Sequence, residues 1–517
     1  MKTLRSYVLD AWHEADGDFR TLVDPSTEEA VARASSRGVD FQAVLEHART
    51  VGGPALRALG HRERGGRLKA MSKALREHRD ELLELSRRNG GTTRPDGAFD
   101  VDGATGTLHY YASLAKALEE GTLLPEDDGT QVGKSEAMWV RHALTPRRGA
   151  AVHVNAFNFP AWGFAEKAAQ ALLAGMPVIT KPATATALVA ERCVEIVVEA
   201  GILPEGALQL IVGGTGDLLD RLGPQDVLAF TGSADTAATL ARAPGLGVSN
   251  ARFNVEADSL NAAVLAPDVE EGETFQLFVR DVAREMTQKS GQKCTAVRRI
   301  LVPEGSLERV REALVAALEG VVVGNPEADE VTMGPLATEA QLRDTVEGVR
   351  TLAEGCRIVT GGMERVDGVG SPEGTGYFFP PTLLEATDSG APEAVHGREV
   401  FAPVATLVPY DGSAEAAAGI VARGGGMLVT SVYGDDAGWL RSFVEGAGPW
   451  AGRMYVGSRA SAGEAPGSGV VFPHALHGGP GRAGGGQELG GAFGLHLYMQ
   501  RTALQGSRSL LETLLEE

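Results

Sequence analysis

The chain contains, between residues 151 and 256, the apolar segments AVHVN (151–155), PVITK (177–181), LQLIV (208–212), VLAF (227–230) and RFNVE (252–256). They alternate with four segments of helical character: GFAEKAAQALLAG (163–175), TALVAERCVEIVVEAG (186–201), TGDLLDRLG (215–223) and ADTAATLARA (234–243). This alternation predicts an α/β fold whose open parallel sheet carries helices on both faces. Ligands of such sheets bind outside the carboxyl ends of the strands, so residues at those ends are the first candidates for a site.

The rest of the chain predicts further elements around this sheet. Residues 41–88 have a period of 3.6 that predicts two helices, and a third is expected near Thr107–Leu118. A second α/β pattern continues from about residue 294 to Val444. The hairpin-like segment AMWVRHALTPRRG (137–149) and the Gly-rich tail from Trp450 are expected to form an oligomer contact or to cover the site.

Bulk properties narrow the class of protein. A chain of 517 residues exceeds one ordinary core and predicts two or three domains. The formal net charge of −20 argues against nucleic acid or an anionic membrane as the main partner, because both attract basic surfaces. The N-terminal residues lack the apolar core of a signal peptide, and no apolar run approaches the roughly 20 residues of a membrane span. A cytoplasmic protein is expected.

Cysteine is sparse. Only Cys193, Cys294 and Cys356 occur, and an odd, small number is typical of a reducing compartment without a disulfide framework. Cys193 lies in a helical pattern and Cys356 precedes a strand-like RIV, so both are expected to be structural. No histidine and cysteine cluster has the spacing of zinc ligands, and no metal is expected.

Cys294 has different surroundings. The stretch KSGQKCT (289–295) places it on a Gly-Gln turn between Lys289 and Lys293. Positive charge and turn N–H groups favour the thiolate, which is the nucleophilic form of cysteine. The same turn leaves the Cys294 N–H free to face a developing oxyanion. We therefore expect Cys294 to be a nucleophile activated by its lysines.

Polar residues follow the first two strands of the predicted sheet. Asn158, in FNFP (157–160), could donate its side-chain N–H to an oxyanion shared with the Cys294 N–H; alternatively it only caps the next helix. Lys181 ends the next strand, where an ammonium could bind a ribose hydroxyl or a phosphate; alternatively it is a solvated lysine.

The later strands end in further candidates. Gly232 and Ser233, in FTGS (230–233), start a helix where backbone could approach a pyrophosphate. Glu256 could be a general base on water or a salt-bridged carboxylate, and Asp258 is a rival for the same role.

A further pair lies outside the first sheet. Glu399 and Phe401, in EVFAPV (399–404), offer a carboxylate for ribose hydroxyls and a ring to pack on a flat ligand.

These motifs together resemble the aldehyde dehydrogenase superfamily over nearly the whole chain. FNFP, ITKPA (179–183), FTGS, GQKC (291–294) and EVFAPV occur in that family's order, and Glu256 precedes Cys294 by 38 positions (294 − 256). The resemblance implies a Rossmann-type cofactor domain (1–121 and 145–256), an α/β catalytic domain (257–449) and an oligomerisation segment (122–144 and 450–517). A homodimer is expected.

The resemblance narrows to a subgroup. FNVEADSLNAAVLAPDV (253–269), REMTQKSGQKCTAVRRILVP (284–303) and HGGPGRAGGGQELGG (477–491) resemble the dehydrogenase half of the bifunctional phenylacetate-degradation proteins. They equally resemble the single-domain semialdehyde dehydrogenases of CoA-dependent benzoate degradation, which act on substrates such as 3,4-dehydroadipyl-CoA semialdehyde. The substrate implied is a CoA-linked semialdehyde from aromatic ring cleavage. The alternatives are a dehydrogenase for free aliphatic or aromatic aldehydes and, in another class, a non-catalytic scaffold.

The resemblance also implies a mechanism and a cofactor. Cys294 adds to the aldehyde, Asn158 and the Cys294 N–H hold the alkoxide, hydride leaves to form a thioester, and Glu256 activates the water that releases the acid. Many NAD-preferring relatives carry a glutamate three residues after the strand-end lysine, where this chain has Thr184. Without that carboxylate the 2′-phosphate is not repelled, and Lys181 could pair with it. NADP is therefore expected, with NAD as the alternative.

Overall fold

The computed structural model describes residues 1–118, 123–388 and 390–515. The strands, numbered in chain order, are β1 (Lys2–Thr3), β2 (Ser6–Val8), β3 (Ala11–His13), β4 (Arg20–Val23), β5 (Ala30–Ala34), β6 (Leu124–Pro125), β7 (Thr130–Gln131), β8 (Trp139–Pro146), β9 (Ala151–Val154), β10 (Val178–Lys181), β11 (Leu208–Leu210), β12 (Val227–Thr231), β13 (Arg252–Glu256), β14 (Ala262–Leu265), β15 (Arg299–Pro303), β16 (Cys356–Thr360), β17 (Thr382–Ala386), β18 (Val404–Tyr410), β19 (Met427–Tyr433), β20 (Ala451–Gly457), β21 (Leu476–Gly478), β22 (Gln487–Leu489) and β23 (Met499–Gly506).

The α-helices are α1 (Phe41–His47), α2 (Gly53–Arg57), α3 (His61–Glu77), α4 (Arg79–Gly90), α5 (Arg94–Leu114), α6 (Trp162–Ala174), α7 (Ala187–Glu199), α8 (Ala234–Leu240), α9 (Pro244–Gly247), α10 (Glu273–Thr287), α11 (Leu307–Glu319), α12 (Glu339–Ala353), α13 (Glu393–Gly397), α14 (Ala414–Ala422), α15 (Ala437–Ala447) and α16 (Arg508–Leu515).

The first sheet confirms the predicted parallel core. Its order is β13-β12-β9-β10-β11-β2-β3, and the five strands from β13 to β11 are parallel. The N-terminal hairpin β2–β3 extends this sheet through an antiparallel pairing with β11. Because parallel strands share one direction, the carboxyl ends of β9, β10, β12 and β13 lie along a single edge.

The helical predictions needed correction at the N-terminal side and in one connection. The two helices expected over residues 41–88 are four, α1 to α4, and a π-helical turn, Ala48–Gly52, joins the first two. The third helix begins at Arg94, because the Thr93 hydroxyl caps it by accepting the Asp96 N–H at 3.3 Å. The expected helix over TGDLLDRLG is only a short 3-10 turn, Leu218–Arg221.

A second sheet confirms the second α/β pattern. Its order is β16-β17-β18-β15-β14-β19-β20, with β16 antiparallel to β17 and the other neighbours parallel. A third sheet pairs β23 with β8, joining the tail to the hairpin-like segment. The strand β20 falls within the expected oligomerisation segment yet pairs with the second sheet. The domain boundaries remain a prediction, and the one between residues 121 and 122 lies outside the described residues.

Close packing of α5 on α6 fixes the wall behind the sheet edge. A Cβ on Gly103 of α5 would lie 2.3 Å from the ring of Trp162, so only glycine allows the two helices to approach this closely. Eleven of the thirteen residues of α6 are buried. Burying α6 against the sheet holds its N-terminus at the strand ends, where the candidate residues lie.

Candidate active site

The strand ends bring the predicted residues to one edge. Lys181 of β10 pairs with Val154 of β9, and Glu256 of β13 pairs with Thr231 of β12. Parallel pairing in this register places Lys181, Thr231 and Glu256 at the carboxyl edge of the sheet. The Cys294 turn approaches this edge from the second α/β unit, because Cys294 lines the same cavities as Thr231 and Glu256.

A strained turn presents Cys294. Lys289 and Ser290 have φ of 54° and 55°, in the left-handed region that non-glycine residues rarely adopt, and Gly291 follows with φ of 66°. The Ser290 hydroxyl donates to the Gly334 carbonyl at 2.7 Å, and a Cβ on Gly291 would lie 2.3 Å from the Ala402 carbonyl oxygen. A non-glycine residue with such a backbone conformation destabilises the fold by about 1–3 kcal/mol. The conformation persists only when the surrounding contacts hold it. The turn therefore has one fixed conformation.

The ammonium groups of the two lysines in this turn have partners other than the Cys294 thiol. The Lys293 ammonium lies 2.7 Å from the Glu285 carboxylate, and the Lys289 ammonium lies 4.3 Å from the centre of the Phe159 ring. Burial raises the pKa of the Cys294 thiol well above its usual range, and the Glu256 carboxylate raises this pKa further. The expectation that the lysines acidify the thiol was wrong. A thiol in these surroundings is neutral and needs a base.

Glu256 is that neighbouring base, and a histidine accompanies it. The Glu256 carboxylate, the Cys294 sulfur and the His477 ring nitrogen lie within 4.8 Å of one another. His477 Nε2 is 3.2 Å from Glu256 Oε2 and 3.9 Å from Cys294 Sγ. Burial alone would raise the pKa of Glu256, but His477 and Lys167 hold it well below its usual range. Glu256 is therefore an ionised acceptor beside a neutral thiol.

A buried charge network lies behind Glu256. The Lys167 ammonium is 3.1 Å from carboxylate oxygens of both Glu166 and Glu488. Asn254 donates to the other oxygen of Glu488 at 2.9 Å. Burial raises the pKa of Glu166 to about 7, although Lys167 opposes that shift. One ammonium thus faces three carboxylates, since Glu256 contributes the third.

Sequence reasoning missed the residues of this network and His477. His477 and Glu488 lie on the two strands of the β21–β22 hairpin in the Gly-rich tail, where they pair directly across. The sequence did offer one indication, since a histidine and a glutamate interrupt a run of glycines. The residues that they contact are distant in the sequence, so no local motif connected them with the site.

Asn158 is free to face the thiol because another residue caps α6. The Asp100 carboxylate accepts the N–H groups of Trp162 and Ala161 at 2.7 and 3.2 Å, so the capping alternative for Asn158 was wrong. Asn158 Nδ2 donates to the Gln292 carbonyl at 3.0 Å, which fixes its amide toward the nucleophile turn. Within the described ranges, the Cys294 N–H has no backbone acceptor. Asn158 and Cys294 line the same cavity, so the two residues are candidates to donate N–H groups there.

Two cavities meet at Cys294. A cavity of about 520 Å³ on one side is lined largely by the apolar side chains of Phe99, Phe159, Trp162 and Val471. A cleft of about 1470 Å³ on the other side runs past β12 and the EVFAPV segment. A carbonyl compound in the first cavity and a flat ring in the second would meet at the sulfur.

Four of the six predicted cofactor residues line that cleft: Gly232, Ser233, Glu399 and Phe401. Ser233 also caps α8 by accepting the Thr236 N–H at 3.2 Å. Burial raises the pKa of Glu399 to about 7, and Arg298, at 3.3 Å, opposes that shift. The Arg298 guanidinium also lies 5.3 Å from the centre of the Phe401 ring, so it contacts both Glu399 and Phe401.

The cleft also contains unsatisfied polar atoms that fit a bound group. Asn155 Oδ1 and Thr231 Oγ1 are buried and have no hydrogen-bond partner among the described residues. Both residues line the cleft beside Cys294. Buried polar atoms are costly when unpaired, so these two suit a polar ligand.

Ala183 lines the cleft. Lys181 and Thr184 precede and follow Ala183 in the sequence and therefore lie next to the cleft. The Thr184 hydroxyl donates to the Gly213 carbonyl at 3.2 Å. Burial, together with the Arg20 guanidinium of β4, lowers the pKa of Lys181 to about 8. Arg20 is a second cation at this position that the sequence did not indicate.

The rival residues have other contacts. Asp258 lines the cleft near Glu256, but its carboxylate accepts the Ala234 N–H at 3.0 Å, at the N-terminus of α8. Cys193 is fully buried in α7, and Cys356 is 7% exposed. Across the described parts of the chain, no helix combines the length and apolarity needed to traverse a bilayer.

The chain is similar to known proteins over most of its length. Residues 12–503 match the aldehyde dehydrogenase family. The chain is 46% identical over 478 residues to 3,4-dehydroadipyl-CoA semialdehyde dehydrogenase of Aromatoleum evansii, covering 92% of this chain and 93% of that protein. It is 41% identical over 183 residues to the protein MaoC of Klebsiella aerogenes, covering 35% of this chain and 52% of that one.

The fold also matches solved structures. Betaine aldehyde dehydrogenase of Staphylococcus aureus, in complex with NAD+, superposes with a TM-score of 0.82 at 23% identity, covering 98% of this chain and 95% of that one. The chain therefore belongs to the aldehyde dehydrogenase family, and it is an NAD(P)-dependent enzyme that oxidises aldehydes to carboxylic acids.

Proposed function

We propose that this enzyme oxidises the aldehyde end of a CoA-linked semialdehyde from aromatic ring cleavage, such as 3,4-dehydroadipyl-CoA semialdehyde, with NADP as electron acceptor. The observation that carries the proposal is the path that leads from Cys294 to the surface. The apolar cavity at Cys294 shares Phe99, Trp162 and Val471 with an open groove of about 1060 Å³. In this proposal a long acyl chain lies along the cavity and the groove, with its aldehyde at the sulfur and its bulky end outside. The activity of the Aromatoleum evansii relative supports the same substrate class.

The residues around the sulfur define the chemistry. Glu256 accepts the thiol proton of Cys294, the sulfur adds to the aldehyde carbon, and the N–H donors of Asn158 and Cys294 stabilise the alkoxide. A nicotinamide bound in the cleft would accept the hydride that leaves the carbon, so that the Cys294 thioester can form. Glu256 first passes the thiol proton to solvent and then takes a proton from water as this water attacks the thioester, and the C–S bond breaks to release the acid and the Cys294 sulfur. The elements that bring these groups together are the sheet edge and the Cys294 turn.

Charge next to the cleft supports NADP. Lys181 and Arg20 are two cations beside Thr184, which stands where a carboxylate would repel a 2′-phosphate. We assign Lys181 and Thr184 to the 2′-phosphate, Gly232 and Ser233 to the pyrophosphate, and Glu399 and Phe401 to the nicotinamide side. NAD remains the alternative acceptor.

We further propose a cytoplasmic homodimer. The edge strand β20 has Val456 46% exposed, and Trp450 just before it is 39% exposed. The hairpin around β8 exposes Val132 and Met138. An open strand edge beside apolar side chains suits pairing with a second copy. The domain assignment given above places these surfaces in or beside the oligomerisation segment.

The substrate is tested by comparing kcat/KM for a CoA-thioester semialdehyde with kcat/KM for the free aldehyde of the same chain length. The proposal predicts a clear preference for the thioester. Equal values would favour a dehydrogenase for free aldehydes instead. Absence of both NADP and NAD reduction with every aldehyde would favour a scaffold and contradict the whole assignment.

A further inference from the structure

His477 is held in place by its backbone. It lies on β21, and a Cβ on the next residue, Gly478, would lie 2.0 Å from the Gly486 carbonyl oxygen of the hairpin. A Cβ on Gly452 of β20 would lie 1.7 Å from the Gly478 carbonyl oxygen. The hairpin and β20 thus pack backbone to backbone, and the imidazole, 3% exposed as a residue, has no room to swing out.

The imidazole reaches the two reacting groups with one nitrogen. Nε2 is 3.2 Å from the Glu256 carboxylate and 3.9 Å from the Cys294 sulfur. An ionised carboxylate can only accept hydrogen bonds. Nε2 therefore carries a proton, and this N–H is directed at Glu256. Glu256 therefore accepts from His477 on one side while it faces the thiol on the other.

Other charged groups surround this pair. Glu166 and Arg453 both act on His477, the first favouring its protonated form and the second opposing it. The Lys167 ammonium lowers the pKa of Glu256. Glu488 pairs directly with His477 across the hairpin. Burial would lower the pKa of His477, but Glu256 and Glu166 raise it. Both carboxylates therefore favour the protonated imidazolium beside Glu256.

We propose that His477 is a positioning residue that holds the Glu256 carboxylate ionised and directed at the Cys294 thiol. This inference rests on the proposed roles of Cys294 and Glu256. In the addition step the thiol proton moves to Glu256, the S–C bond forms, and the carbonyl π electrons move to the oxygen. His477 keeps its own proton throughout and acts only through the carboxylate.

Two variants separate the hydrogen bond from the charge. His477→Phe removes both, whereas His477→Gln keeps an N–H donor without charge. The readouts are the rate at which iodoacetamide alkylates Cys294 and kcat/KM for aldehyde oxidation, each followed from pH 5 to pH 9. His47→Gln is the matched control, because His47 forms a histidine–carboxylate pair with Asp10 at 2.6 Å in the N-terminal region.

His477→Phe should lower both rates at least ten-fold at pH 7.5 without changing KM for NADP. His477→Gln should recover most of the rate at high pH. Its rates should fall at the acid end of this pH range, where those of the wild type do not, because burial raises the pKa of the Glu256 carboxylate once the opposite charge is removed. If His477→Phe does not fold, the pH shift of His477→Gln decides alone.

Different results would contradict the role of His477 and the role of Cys294. Rates and acid limbs of His477→Gln equal to the wild type would overturn the role of His477. A loss in His477→Gln accompanied by an equal loss of NADP binding would show a structural residue and overturn it as well. If alkylation of Cys294 leaves wild-type turnover intact, the proposed role of Cys294 itself fails.

Discussion

The Lys293 ammonium lies 2.7 Å from the Glu285 carboxylate, and both side chains are buried. The residue immediately before the nucleophile is thereby neutralised inside the second α/β unit. A buried ion pair of this kind holds the turn in place but contributes no net charge to the thiol. Activation of Cys294 consequently depends on the opposite side of the site, where Glu256 and His477 lie.

Cys294 should be the only cysteine whose loss stops the reaction. Cys294→Ala is expected to abolish aldehyde oxidation and to leave NADP binding and Tm unchanged, because the side chain has no structural partner beyond the site. Turnover with a simple aldehyde and fluorescence titration with NADPH measure the two effects. Cys193→Ser and Cys356→Ser are the controls, and they should cost about 1–3 kcal/mol of stability at most while staying active. More than trace turnover in Cys294→Ala would refute the assignment.

Glu256 should be required both before and after hydride transfer. Glu256→Gln is expected to release NADPH far more slowly than the wild type, because no base remains to deprotonate the Cys294 thiol, and any thioester that forms should persist, because no base remains to activate water. Stopped-flow absorbance measures the NADPH released in the first turnover, and mass spectrometry detects the acyl group on Cys294. Asp258→Asn should deacylate nearly normally, since Asp258 serves the N-terminus of α8. A first turnover at the wild-type rate would mean that Glu256 does not deprotonate the thiol.

Thr184→Glu should reverse the cofactor preference. A carboxylate beside the 2′-phosphate is expected to weaken NADP by roughly 1–3 kcal/mol and to leave NAD unchanged or improved. KM and kcat for both cofactors provide the measurement. Thr184→Gln has nearly the same shape without the charge, so it should retain NADP. A wild type that already prefers NAD would contradict the assignment of this position.

The affinity for NADP should fall in mildly basic solution. The pKa of Lys181 is lowered to about 8, so its positive charge is present below that pH and is lost as the pH rises through it. KM for NADP is therefore expected to rise between pH 7.5 and 9.5, while KM for NAD stays nearly constant. Lys181→Arg keeps its charge over this range and should remove the rise. A parallel rise for both cofactors would mean that Lys181 does not contact the 2′-phosphate.

The sequence by itself determined the parallel sheet, the second α/β unit and the candidate residues at the strand ends. Alternating apolar and helical segments are local patterns, and parallel strands bring Lys181, Thr231 and Glu256 to one edge whatever else the chain does. The motif order from FNFP to EVFAPV likewise indicated the family, which the comparisons confirmed. Helix boundaries such as the start of α5 were less predictable, because a single capping threonine decides them.

Only the tertiary structure decided which groups pair. Asp100, 62 positions before Trp162, caps α6 and so releases Asn158. His477, 183 positions after Cys294, reaches Glu256 from the tail, and both turn lysines point to partners other than the thiol. Burial and neighbouring charge set the pKa of a side chain, and both depend on contacts between segments distant in the chain. Residue types and spacing therefore indicated the chemistry, while the protonation state of each group came from the packing.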